Sequence, residues 1–255
     1  MSLECVRMNR LSPTLIIAAL VLAGCGDSTG PATGTGVSLT FASDATGAAA
    51  PVGGPLRAPI TDGTNTLIIT SVQVVLREIE LKTVETQDCD VIPEPAGCES
   101  FRTDPVLVSL PVDGTTSQEV AITIPAGTYD EIEFDIHKVS DADGAFLTAH
   151  PTFDQKSIVV EGTYNGNAFT FETNLTQEQK FALVPNLVVG DASPATNVTI
   201  RFDISTWFRD QQGNLFNPGT ASTGEPNESV AEENIKNSIK AFEDRDRDGD
   251  DTDEG

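Results

Sequence analysis

Between Val37 and Phe208, outside a loose Ala/Gly/Pro stretch at residues 42–65 and the turns, apolar residues recur at every second position in short segments, and no stretch carries the 3.6-residue period of a helix. A period of two lines one face of a strand, so such a region buries its apolar row only by packing sheet against sheet. GVSLTFAS alternates at Val37, Leu39 and Phe41. TLIITSVQVVLREIELKTV alternates at Val72, Val74 and Leu76, then slips phase to Ile79 and Leu81, which predicts a bulge near Arg77–Glu78 or, alternatively, two strands with a tight break. In TYDEIEFDIHKV the rule sends Ile132, Phe134 and Ile136 inward and Glu131, Glu133, Asp135 and His137 outward. Asn165-Gly166 is a favoured two-residue type I′ hairpin turn. Counting outward from it pairs Tyr164 with Asn167, Gly162 with Phe169 and Val160 with Phe171, which lays Phe169 over the bare Gly162. Pro125-Ala126-Gly127 reads as another short hairpin turn. TNVTIRFDISTWF puts Val198, Ile200, Phe202, Ile204 and Phe208 on one face. About eight to ten short strands of this kind predict an all-β fold, an antiparallel Greek-key β-sandwich of immunoglobulin-like or carbohydrate-binding-like type, over residues 37–224.

Ahead of this region stands an address. Arg7 and Arg10 precede the unbroken apolar run Leu15–Ala23, too short to span a bilayer and the length of a signal core. It ends in Leu22-Ala23-Gly24-Cys25, which resembles a bacterial lipobox: residues 1–24 are the expected lipoprotein signal peptide and Cys25 the lipidated first residue of the mature chain. Met8 is an alternative start, because MNRLSPT makes a more usual n-region than MSLECVR. Residues 25–36, rich in Gly, Ser, Thr and Pro, are a linker holding the domain off the lipid. The expected location is the bacterial cell envelope, outside the cytoplasm, with a membrane partner through the lipid. Gly26 is not the Asp associated with inner-membrane retention, so in a Gram-negative cell the outer membrane is the expected surface.

Charge narrows the partners. With 39 acidic and 15 basic residues the net charge is −24, and a nucleic-acid partner needs clustered Lys and Arg to meet phosphate. The cysteines agree with export: after Cys5 and Cys25, the pair Cys89 and Cys98 is left. A disulfide between them closes a loop of about ten residues and stabilises by roughly 2.5–3 kcal/mol in the chain-entropy model. A metal-thiolate pair is the rival, without a further Cys or nearby His to complete a zinc set.

The order GVSLTFAS, ITSVQVVLREIEL, IPAGTYDEIEFDI, TNVTIRFDISTWF is similar to the domain of unknown function 4382 family, over roughly residues 36–208. The resemblance implies an exported, often lipid-anchored sandwich of carbohydrate-binding type. It brings no catalytic residues, and its sharpest motif, Pro125 to Ile132, is shared by many sandwich domains. The Cys89–Cys98 loop and the acidic tail lie outside the pattern.

Residues 225–255 change character. Ser229-x-x-Glu232 is a capping box, and Ala231, Ile235, Ile239 and Phe242 fall on one helical face, which predicts a helix from Val230 to about Phe242. The acidic tail follows. Its Asp244, Asp246, Asp248, Gly249 and Asp250 have the spacing of the first half of an EF-hand calcium loop, where carboxylates at positions 1, 3 and 5 converge on the ion and a glycine at 6 makes the turn. Position 12, where a bidentate Glu belongs, is Gly255. A solvated acidic tail is the competing reading. Asp141-Ala142-Asp143-Gly144 reads as a turn between strands.

Three functions follow as expectations, beside a fourth, a purely structural spacer. The first is a non-enzymatic, lipid-anchored envelope protein whose sandwich binds a glycan or an envelope protein, with Trp207 and Tyr129 as the candidate stacking aromatics; the competing reading of Trp207 is a ring covered by the C-terminal helix. The second is a calcium-dependent envelope or adhesion protein using Asp244, Asp246, Asp248 and Asp250, with Ca2+ as its only cofactor. The third is an acidic-cleft hydrolase, in which the row from Glu131 to His137 meets Arg201 and Asp203 and Glu133 or Asp135 has a raised pKa beside a pocket.

Overall fold

A computed structural model describes residues 36–44, 59–84, 103–190 and 196–251. The strands are β1 (Gly36–Ser43), β2 (Ile60–Thr61), β3 (Thr66–Thr83), β4 (Val106–Ser109), β5 (Thr116–Thr123), β6 (Gly127–Ile136), β7 (Ile158–Tyr164), β8 (Asn167–Thr173), β9 (Gln177–Val189), β10 (Thr196–Phe202) and β11 (Ile239–Glu243). Two short helices accompany them, α1 (Gly144–Ala149) and α2 (Glu228–Asn237). The protein is an all-β sandwich. A four-stranded sheet has the order β11-β10-β1-β5, and a seven-stranded sheet has the order β8-β7-β3-β6-β9, with β2 and β4 also on β3. The alternating apolar rows of both sheets meet in one core, where Leu39, Phe41, Val74, Leu76, Ile132, Phe134, Phe171, Ile200 and Phe202 are all buried.

Local signals are realised as read. The β7–β8 hairpin pairs Tyr164 with Asn167, Gly162 with Phe169 and Val160 with Phe171, and both turn residues have positive φ, 51° at Asn165 and 79° at Gly166, as a type I′ turn requires. A side chain at Gly162 would run into the Ile68 carbonyl oxygen and the Phe169 ring. The phase slip in β3 is a bulge: its register against β6 shifts between Arg77 and Glu80, and Glu78 sits at φ 53°.

Four readings are corrected. The sheets are not wholly antiparallel, because β1 and β10 run parallel from Val37 opposite Thr196 to Ser43 opposite Phe202. Alternation fixes which face is apolar but not the direction of the partner. Pro125–Gly127 is not a hairpin turn, since β5 and β6 belong to different sheets. The segment steps from one sheet to the other, and the Tyr129 hydroxyl donates to the Pro125 carbonyl at 2.8 Å, pinning the corner. The Asp141–Gly144 turn opens a larger excursion: Asp141–Asp143 and Pro151–Phe153 are 3-10 turns flanking α1. With Val139 and Phe153 it builds a second small apolar cluster on Val75, whose neighbours Val74 and Leu76 point into the main core. Finally, the C-terminal helix stops at Asn237. Its N-cap is Asn227 rather than Ser229, and Glu232 accepts a hydrogen bond from the Thr173 hydroxyl at 2.6 Å. Ala231 and Ile235 are buried as the helical stripe requires, but Ile239 to Glu243 leave the helix and complete the small sheet beside β10.

Candidate functional site

The outer face of the four-stranded sheet brings the functional residues together. Along β10 the alternation turns Val198, Ile200 and Phe202 into the core and leaves Asn197, Thr199 and Arg201 on the other face. Asn197 and Thr199 are nevertheless fully buried. Asn197 Oδ1 accepts from the hydroxyls of Ser38 and Thr40, both at 2.7 Å, and its Nδ2 donates to Thr199 Oγ1 at 3.2 Å. Thr199 Oγ1 in turn donates to Asp244 Oδ2 at 2.6 Å. A polar chain therefore runs from β1 through β10 to the first residue of the Asp-rich loop.

That loop folds back across the sheet after β11. Asp244 is 1% exposed, and it organises the turn through its carboxylate. Oδ1 accepts from the Arg247 amide at 2.6 Å and Oδ2 from the Gly249 amide at 3.1 Å. Arg247 and Gly249 take positive φ, 62° and 89°. The turn lies so close to the sheet that a Cβ at Gly249 would stand 2.9 Å from Thr116 Cγ2 and 3.0 Å from Ala42 Cβ. Thr116 Oγ1 also donates to the Arg247 carbonyl at 3.1 Å. Asp246 and Asp248 are exposed, and ligand atoms of Asp244, Asp246 and Asp248 all lie within 4.8 Å of one another. This is the convergence that a calcium loop needs at positions 1, 3 and 5. Asp250 follows at position 7, its amide donating to Asp248 Oδ1 at 2.9 Å. Position 12 falls outside the described residues.

Beside the loop is a cavity of about 180 Å³ lined by Asp44, Arg201, Asp203, Ser238, Lys240, Phe242 and Asp251. Arg201 grips Asp44 with two parallel bonds, Nε and Nη2 donating at 2.9 and 2.8 Å, and its Nη1 donates to the Gly249 carbonyl at 3.4 Å. The Asp44 hydrogen bonds hold the guanidinium more firmly protonated still. Asp203 uses Oδ1 to cap the 3-10 turn Ile204–Thr206, accepting from Ser205 N and Oγ. Lys240 is exposed and Phe242 half-buried on β11.

The aromatics expected to stack on a glycan are not available. Trp207 is wholly buried, at 0%. Its ring meets Phe202 edge-on, and its indole N–H donates to Ser238 Oγ at 2.8 Å beneath the C-terminal segment. Tyr129 is 2% exposed and closes the inter-sheet corner. Nor does the row on β6 form an open acidic cleft with Arg201 and Asp203, because β6 and β10 lie in different sheets. Glu133 and His137 are buried. Burial pushes Glu133 up, but its ion pairs with Lys180 and Lys82, at 2.5 and 2.9 Å, outweigh it and leave the carboxyl below its ordinary range. Glu131 is the raised one, by burial first and then by its hydrogen bond with Glu133. Asp135 pairs with Arg77 at 3.3 Å. His137 Nε2 meets Asp143 Oδ2 at 2.9 Å. Burial would raise Asp143, but the bonds from His137 and Ser140 win and lower it. Cys25, Cys89 and Cys98 lie outside the described residues.

Sequence reasoning missed Asp44, Lys240 and Phe242 as site residues. Alternation along β10 did place Arg201 opposite the apolar row. What joins it to Asp44 is the parallel pairing of β1 with β10, for which the sequence carries no local signal. No family model, no curated protein and no solved structure matches the chain, so the resemblance to the domain of unknown function 4382 family rests on its residues alone.

Proposed function

We propose that this chain is a non-catalytic binding module of the bacterial cell envelope, lipid-anchored through Cys25 outside the cytoplasm. Its binding face is the outer side of the four-stranded sheet. The observation that carries this reading is the cavity beside Arg201, where cations, carboxylates and a half-buried ring from β10, β11 and the C-terminal loop converge on one small space. Anchoring is tested by fractionating cells that express the full chain or its Cys25→Ser variant. The wild type is expected in the membrane fraction, incorporating labelled fatty acid, and the variant in the soluble fraction. Equal distribution of the two would overturn the anchor.

A second reading is favoured by a separate observation, the convergence of Asp244, Asp246 and Asp248. It holds that the C-terminal loop takes a calcium ion, with Asp244 tying the ion to β10 through Thr199. Lacking a bidentate twelfth ligand among the described residues, the site belongs with weak extracellular modules, in the range of about 10⁻⁴–10⁻³ M. Calorimetric titration of the unlipidated full chain with calcium is expected to show one saturable event, lost in the double variant Asp246→Asn, Asp248→Asn. Heat that persists in the variant, or none in the wild type, would remove it.

A further inference from the structure

We propose that the cavity beside Arg201 takes a single neutral sugar ring, which names the ligand class of the binding module and rests on that reading. Its hydroxyls would bond Lys240, Arg201, Asp203 and Asp251, with Phe242 against its carbon face. Size sets the first limit. At about 180 Å³ the space is smaller than the roughly 300–1,000 Å³ of pockets for drug-sized ligands. It suits one small ring, with the rest of any chain outside.

The hydrogen-bonding inventory sets the second. A guanidinium has five N–H donors. Asp44 takes one from Nε and one from Nη2, and Gly249 takes one from Nη1, which commits three of the five, while the charges of Asp250 and Asp203 also act on the guanidinium. Lys240 has no ion pair among the described residues and brings three more donors. On the acceptor side, Asp203 commits Oδ1 to Ser205 and keeps Oδ2. Asp251 also stands at the wall. A site with donors and acceptors mixed on one rim matches hydroxyl groups, each of which gives one bond and accepts others. Charge then decides between neutral and ionic ligands. An anion meets three aspartates on a chain of net charge −24, whereas a cation meets Arg201 and Lys240. A neutral polyhydroxylated ring meets neither penalty, and Phe242 supplies the apolar surface that its carbon face covers.

The molecule holds its own reporter. Trp207 is the single tryptophan, and the Ser238 hydroxyl that accepts its indole N–H belongs to a residue of the cavity wall. Binding is therefore followed by Trp207 fluorescence and by calorimetry on the unlipidated full chain. The probes are methyl α-D-mannoside, methyl β-D-glucoside, methyl β-D-galactoside and N-acetylglucosamine, with glucuronate and glucosamine as charged counterparts. Each titration is run with millimolar calcium and again with EDTA. At least one neutral sugar is expected to bind saturably and to beat both charged probes. Lys240→Ala, at an exposed position, is expected to weaken it about tenfold, by loss of charge-assisted bonds, with the melting temperature unchanged. Phe242→Leu keeps the apolar bulk and loses the flat face, and is expected to weaken it as well. No neutral sugar bound in either condition, a charged probe preferred, or Lys240→Ala without effect would each overturn the proposal. Sugar binding in EDTA supports the cavity even where the calcium reading fails its own titration. Sugar binding with no membrane attachment would instead count against the anchor.

Discussion

Asp244 is the residue on which the C-terminal loop depends, and its structural role is separable from any part in metal binding. Its two carboxylate oxygens accept three bonds, from Arg247 N, Thr199 Oγ1 and Gly249 N, in a position closed to water. Asp244→Asn replaces one oxygen by an amide NH2, so a donor would face either the Arg247 amide or the Thr199 and Gly249 donors. Leaving such a buried group unmatched costs about 1–3 kcal/mol. Asp248 is exposed, and the single bond its Oδ1 accepts from Asp250 N survives in an asparagine. Asp248→Asn is therefore expected to change metal-free stability by less than about 0.5 kcal/mol. Urea denaturation in EDTA measures both. Equal, small effects would mean that the loop is not held by Asp244. The burial of Asp244 was not legible beforehand, because the carboxylate run reads as a solvated tail until Thr199 is known to reach it. That of Trp207 was, since a cover from the C-terminal segment was one of its two readings, and Ser238 supplies it.

The elements that the sequence made legible are those decided by near neighbours. The β7–β8 register follows from Asn165-Gly166 and the count outward, and the β3 bulge follows from a one-residue slip of the apolar row. Gly162 tests the hairpin directly. Its missing side chain lets the Ile68 carbonyl approach and Phe169 lie across the strand, so Gly162→Ala must push the β3–β7 pairing apart. Overpacking of this kind costs typically 1–3 kcal/mol, and thermal unfolding is expected to show it, although alanine is otherwise the better strand residue. An unchanged midpoint would mean that the backbone yields freely there. The elements that were illegible depend on partners far away in the chain. The stripe Ala231, Ile235, Ile239 fits a helix throughout, yet the free edge of β10 recruits Ile239 onward as a strand. The direction of β10 beside β1 is set by chain crossings between the sheets. The excursion between β6 and β7 folds because Val75 offers an apolar spot on the far face of β3. No periodicity within residues 137–156 announces that.

At the scale of the whole molecule, proton binding sets two opposing trends. A net charge of −24 makes the folded state repel itself at pH 7, and protonating carboxylates relieves that repulsion as the pH falls towards the isoelectric point near 4.1. Glu131 acts in the same direction. Its folded pKa is raised above the ordinary 4.5, so its contribution to stability is fully present below that value and is lost as pH rises through the folded one. Asp143 and Glu133 act oppositely. Their folded pKa values lie below the ordinary 3.8 and 4.5, so their contributions are present above those values and are lost as pH falls through the folded ones. The sum places the stability maximum on the acid side of neutrality and above about pH 4.5, with a steep loss below about pH 4. Added salt should separate the terms. Raising ionic strength from about 0.01 to 1 M shortens the screening length from about 30 to 3 Å. It should therefore lift the melting temperature at pH 7.5 and do much less near pH 5, where the net charge is smaller. Melting curves from pH 3 to 8 at low and high sodium chloride, in EDTA, provide the check. A maximum at pH 7 or above, or a salt effect equal at both pH values, would mean that pairs such as Lys180–Glu133 and Arg201–Asp44 already offset the net charge. Glu133→Gln is expected to flatten the acid limb by removing one of the groups that define it, with Asp62, Asp143 and Asp210 left, whose carboxyls are also held below their ordinary range by hydrogen bonds.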